Sequence, residues 1–177
     1  MTTSGTCYDC GCKSFKQKTE SESVEVKGLE FESIHTYYIC ENCGEEYASF
    51  ENPNENLEKD FQRYREIKGW YSPEKIRRNR KQYGLSLREY ASLLGISYST
   101  LSEIENGSLQ NEQQNSAFIL ADSPHALKKL VENKKGIFKK EEKFDSLLQL
   151  LDKAIYDDTK ELEKRFVILG NDLNAVR

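Results

Sequence analysis

SLREYASLLGISYSTLSEIENG, residues 86–107, decides how the chain is read. Ser86 followed three positions later by Glu89 is a capping box and starts a helix. Gly95 supplies the left-handed residue that ends it, Ser97 caps a second helix, and Asn106-Gly107 closes that one. Small Ala91 allows the two helices to approach, while Ile96, Leu101 and Ile104 fill the space beneath them. An ordinary helical hairpin is the competing reading, but capping box, alanine, glycine and apolar positions all fall in the register of a helix-turn-helix. The second helix then turns Ser97, Tyr98, Ser99, Thr100, Ser102 and Glu103 outward, where base edges of a DNA major groove would lie. Arg77 and Arg88 stand nearby as candidate phosphate contacts.

On either side of this segment, Ser72-Pro73 caps and opens a helix that should end at Gly84, a helix at about 111–121 follows the segment, and Ser123-Pro124 starts another ending near Gly136. These make a five-helix DNA-binding domain over residues 71–136. Before it, Leu57, Phe61, Tyr64 and Ile67 recur at helical spacing and predict a linker helix within 53–70. After it, residues 137–177 read as a helical extension, either two helices or one long bent one. Phe144, Leu148, Leu151 and Ile155 form a short seam, which Asp158 interrupts and Leu162, Phe166 and Leu169 resume.

All five cysteines fall near the N-terminus. Cys7-Tyr8-Asp9-Cys10-Gly11 and Cys40-Glu41-Asn42-Cys43-Gly44 are two matching knuckles, each offering two thiolates to one ion. One Zn²⁺ held by Cys7, Cys10, Cys40 and Cys43 would have no open position, so the site reads as structural rather than catalytic. Cys12 is left as a spectator thiol, and His35 reads as a surface or packing residue. His125, in the first turn of a helix, has no evident partner. Val24, Val26, Leu29 and Phe31 predict short strands around Gly28, so residues 1–52 form a small β-rich zinc module.

Of the 177 residues 37% are hydrophobic and 32% charged, which suits small helical modules better than one large core. The net charge of −4 hides a basic belt of Lys59, Arg63, Arg65, Lys68, Lys75, Arg77, Arg78, Arg80 and Lys81, suited either to phosphates or to a solvated helix surface. The N-terminal residues have neither the basic start nor the apolar stretch of a signal peptide, and no apolar run of membrane-spanning length occurs, so a cytoplasmic protein without membrane attachment is expected. No nucleophile-base pair, phosphate loop or open metal site is evident, and an enzyme is not expected.

Residues 73–135 resemble the phage-repressor-like, Xre-type DNA-binding domains. That resemblance implies an intradomain ion pair between Arg80 and Glu105; the glutamine that commonly opens the family's second helix as a phosphate contact is replaced here by Leu87, leaving Arg88 to substitute. The paired knuckles, together with Ser72-Pro73-Glu74-Lys75-Ile76, Tyr83-Gly84-Leu85-Ser86 and Glu105-Asn106-Gly107-Ser108-Leu109, resemble the YgiT-type zinc-finger plus helix-turn-helix proteins, the MqsA-like antitoxins. The expected fold is mainly α: a four-cysteine zinc-ribbon-like domain, a five-helix Xre-type domain and the helical extension. The resemblance implies a homodimeric transcriptional regulator on a palindromic double-stranded operator, acting as the autorepressor and antitoxin of a type II toxin-antitoxin system with a cognate toxin. The alternative is a free-standing repressor of a phage or mobile element. In the MqsA-like members an asparagine and an arginine read bases where this chain has Ser99 and Glu103, and Glu103 suits acceptance from a cytosine amino group.

Overall fold

A computed structural model describes residues 5–174, with side chains as far as 164. The chain divides into two compact units, one ending at Ser72 and the other beginning at Pro73.

In the first unit, β1 (Phe15–Val26) and β2 (Leu29–Cys40) form an antiparallel hairpin, and the two-residue β3 (Glu46–Tyr47) pairs with Tyr38 and Ile39 on the far side of β2. Lys27 and Gly28 both have positive φ, 49° and 77°, which is the I′ turn whose twist suits a two-residue hairpin. The strands run 12 residues each, longer than the short strands expected from Val24, Val26, Leu29 and Phe31. Before Val24, β1 has Phe15 as its one apolar residue, so its pairing there is invisible to a hydrophobic pattern. Packing against α1 (Glu55–Lys68) explains their order. Asn56 accepts the Thr36 N–H at 2.8 Å and donates to the Thr36 carbonyl at 3.1 Å, satisfying a strand edge as another strand would. Helix α1 ends at Gly69 in the left-handed region, and Trp70 donates to the Arg65 carbonyl while its ring meets Tyr64 at 5.4 Å.

His35 is buried at this junction. Its Nε2 lies 2.8 Å from Asp60 on α1 and its Nδ1 lies 3.1 Å from Glu22 on β1. The Tyr37 hydroxyl also lies 3.3 Å from Nδ1; a neutral imidazole has one N–H, so donating to both carboxylates takes the doubly protonated ring. Burial opposes that charge, but the Asp60 and Glu22 carboxylates outweigh it and raise the His35 pKa.

The second unit is helical: α2 (Pro73–Gln82), α3 (Leu87–Leu94), α4 (Tyr98–Glu105), α5 (Glu112–Asp122), α6 (Pro124–Asn133), a 3₁₀ turn (Lys135–Ile137) and α7 (Glu141–Asn174). Ile76, Tyr90, Leu93, Leu101, Phe118, Leu127 and Val131 form its core, each below 2% exposed and each stabilising by roughly 1.5–3 kcal/mol through burial. Helix α7 continues through Asp158 without a break, which decides between the two readings of this extension. Its buried stripe is Phe144, Leu147 and Leu151; Leu148 and Ile155, expected in the seam, are only half-buried, and Leu162 is exposed. A straight helix of 3.6 residues per turn brings 144, 147 and 151 to one side. Phe166 and Leu169 lie outside the residues whose side chains are described.

The His35 geometry generates a pH test. A raised folded-state pKa contributes stability that is full below the unfolded value of about 6.5 and is lost as pH rises through the folded value. Urea unfolding followed by the fluorescence of Trp70, the one tryptophan, should show His35→Gln less stable than the parent at about pH 6, with the gap closing toward about pH 9. A gap that stays constant would rule out the charged ring.

Candidate functional site

The first site arises where the base of the hairpin meets the residues before it. Phe15 pairs with Cys40, so the chain segment preceding β1 lies beside the turn that follows β2. Each segment makes the same turn. Cys7 N–H donates to the Cys12 carbonyl and Gly11 N–H to the Cys7 carbonyl, at 2.8 and 2.9 Å; Cys40 and Gly44 repeat this pattern with Glu45, at the same two distances. Gly11 and Gly44 have φ of 72° and 80°, where a Cβ would be strained.

The four sulfurs of Cys7, Cys10, Cys40 and Cys43 lie within 4.8 Å of one another. The closest approaches are 3.4 Å for Cys7 with Cys43 and 3.5 Å for Cys10 with Cys40. Tetrahedral Zn–S bonds of about 2.3 Å would place sulfurs about 3.8 Å apart, so the cluster fits a four-thiolate metal site. Cys7 and Cys40 are buried and Cys10 and Cys43 exposed. The Tyr47 hydroxyl, 3.2 Å from the Cys7 sulfur, draws that thiol down to about 6; burial opposes it and the Cys10 and Asp9 amides assist. Cys12 occupies the position of Glu45 in the repeated turn: its carbonyl closes the knuckle while its sulfur accepts from the Ser14 N–H at 3.4 Å. Phe15, Tyr47 and Phe50 stack beside the cluster with centroids 4.9–5.9 Å apart. These rings have no sequence period and were not recognisable as a group.

The second site is the α3–α4 pair. Ser86 accepts the Glu89 N–H and Glu89 accepts the Ser86 N–H at 2.8 Å, completing the capping box. Gly95, with φ 74°, turns the chain, and the Ser97 hydroxyl accepts the Thr100 N–H at 3.0 Å to begin α4. Ala91, Leu101 and Ile104 are buried between the helices. Tyr98, Ser99 and Glu103 are exposed, with Ser102 and Thr100 half-buried. The Ser97 hydroxyl also lies 2.8 Å from those of Ser99 and Thr100, so the start of α4 presents a linked group of hydroxyls. Arg88 is exposed and its guanidinium lies 5.2 Å over the Tyr98 ring.

Behind this surface Arg80 forks onto Glu105, with Nε and Nη2 each donating at 2.7 Å, while Nη1 donates to the Leu85 carbonyl at 2.9 Å. The Glu105 hydrogen bond raises the arginine pKa further against its burial. Arg77, whose side chain is 40% exposed, donates to the Glu105 carbonyl and lies 3.5 Å from its carboxylate. Arg77, Lys81, Leu87, Ser102 and Asn106 surround an open hollow of about 370 Å³ with Arg80 and Glu105 in its lining. The basic belt is therefore not a continuous cationic surface. Arg65 and Arg80 are buried, Lys59 pairs with Glu55, and Lys75 pairs with Asp122.

A helix-turn-helix family model matches residues 76–112, from within α2 to the first residue of α5. No curated protein and no solved structure matches the chain. The match supports a DNA-binding transcriptional regulator, and the domain it describes is regulatory rather than catalytic. Among the described residues no helix is long and apolar enough to cross a membrane.

The fork sets a stability test. Removing one partner of a buried pair leaves an uncompensated charge and costs about 3–5 kcal/mol. Glu105→Ala should therefore lower the unfolding free energy of the second unit, measured by urea titration, by that much, and Arg80→Lys should also destabilise it because an ammonium cannot replace the planar fork. A loss below about 1 kcal/mol for Glu105→Ala would mean the pair is not what joins these helices.

Proposed function

We propose that this chain is a sequence-specific DNA-binding transcriptional regulator that carries one structural zinc ion. The exposed polar face of α4 within the segment matching the helix-turn-helix model carries the reading. Helix α4 enters the major groove, and Tyr98, Ser99 and Glu103 meet base edges, with Ser97, Thr100 and Ser102 beside them. A carboxylate at Glu103 selects for a donor, the amino group of cytosine. Arg88 and the hollow beside Arg77 and Lys81 receive backbone phosphates, which position the protein but carry no sequence information.

One such unit buries too little surface for high specificity, so the protein acts as a dimer on two half-sites about 34 Å apart or a multiple of that spacing. The zinc closes the N-terminal unit through Cys7, Cys10, Cys40 and Cys43; four thiolates leave it no position for water, so its contribution is to folding. The finer reading as an autorepressing antitoxin in the cytoplasm rests on the pairing of two cysteine knuckles with a helix-turn-helix, and co-purification of a toxin with the chain is the observation that tests it.

Two experiments test this. Gel shifts over the DNA upstream of its own coding region should show binding that weakens steeply between about 50 and 200 mM salt. In that assay Glu103→Ala should relax preference at one base pair by roughly 1–3 kcal/mol, whereas Arg88→Ala should weaken all sequences and reduce the salt slope by about one. Absence of any salt-sensitive binding would refute the regulator. Metal analysis of purified protein should find one zinc per chain, retained in Cys12→Ser and lost in Cys40→Ser with unfolding of the first unit; the reverse pattern would overturn the ligand set.

A further inference from the structure

Helix α3 is held at both ends by lysines from beyond the matched segment. At its C-terminal end Lys134 donates to the carbonyls of Ser92 and Leu93, at 2.9 and 3.0 Å, in the last turn of the helix, where the Ser92 carbonyl also accepts the Gly95 N–H. At its N-terminal end Lys143, from the first turn of α7, grips both oxygens of Glu89 at 2.7 and 2.6 Å. One of them already serves the capping box: Oε2 accepts from the Ser86 amide and hydroxyl, at 2.8 and 2.7 Å.

Glu89 thus faces a conflict between folding and binding. A carboxylate is needed there to cap α3, and it also suits the positive end of the helix dipole. Yet it follows Arg88 directly in the chain, on the helix end proposed to face phosphate, where a free negative charge repels the ligand. We propose that Lys143 is a positioning residue for DNA binding, neutralising Glu89 so that the capping carboxylate does not oppose the phosphate backbone. The first turn of α7 is then part of the DNA-binding surface's electrostatics although it lies outside the helix-turn-helix match. Lys143 need not touch DNA; its side chain is 41% exposed and committed to Glu89, whose own side chain is 16% exposed.

This inference rests on the DNA-binding reading, and the experiment separates the two. The probe is a fluorescein-labelled mixed-sequence duplex of about three helical turns, titrated with full-length protein at low salt, where nonspecific affinity is electrostatic. Lys143→Gln leaves one uncompensated charge near phosphate and should weaken binding about threefold or more. Lys143→Arg should bind as the parent does. The deciding variant is Glu89→Gln combined with Lys143→Gln: glutamine at that position still completes a capping box, the local charge returns to that of the parent, and affinity should return with it. Thermal unfolding of each variant reports any scaffold effect separately. If the double variant stays as weak as Lys143→Gln, or if Lys143→Gln binds normally, the neutralising role is overturned while the regulator reading stands. A parent protein that binds no duplex at any salt concentration overturns both.

Discussion

A guanidinium does not shed its proton, so burying Arg80 obliges the fold to bring every available acceptor to it. Glu105 comes from α4, the Leu85 carbonyl from the loop that precedes α3, and Arg80 itself from α2. Three elements, of which α4 is only eight residues long, as is the α3 that the loop leads into, are thereby fixed in mutual position. Helices of that length are not stable alone. The orientation of the outward face of α4 is accordingly set by a charge network behind it, and the burial of both Arg80 and Glu105 keeps away the water that would otherwise weaken the pair.

The N-terminal unit meets the same shortage of core by other means. It is a single hairpin, a two-residue third strand and one helix, and its tightest points are polar: the sulfur cluster at one end, the Asn56 bridge to Thr36, and His35 between two carboxylates. Domains of this size commonly rely on metals or comparable staples because burial of apolar surface alone is insufficient.

Local signals in the sequence were legible where geometry is local. The capping box at Ser86, the turn at Gly95 and the cap at Ser97 lie within a few residues of the groups they satisfy, and the helices they bound form as read. The cysteine knuckles are equally local, each a turn of five residues, and the four sulfurs stand together. What was not legible depends on residues distant in the chain. Glu22 and Asp60 reach His35 from β1 and α1, so a histidine that looked incidental is the centre of an ion triad. Leu147 replaces Leu148 in the buried stripe of α7 because the partner surface on α6, not the heptad spacing, chooses the face. The belt of basic residues dissolved for the same reason: its acceptors, Glu105 and Asp122 among them, lie far along the chain.

The hairpin has a further consequence, for the way the N-terminal unit opens. Twelve residues at about 3.4 Å each make strands of roughly 40 Å, whereas the fourteen residues of α1 extend about 21 Å at 1.5 Å per residue. Toward the Lys27-Gly28 turn Val24, Val26, Leu29 and Phe31 remain half-exposed, and a two-stranded ribbon is at best marginally stable by itself. Local free energy of opening must therefore rise along the ladder, from the turn inward to the Phe15 and Cys40 rung beside the sulfurs. Amides near the tip therefore open at lower cost than those at the base beside the cysteine cluster, so one continuous sheet carries a gradient of local stability.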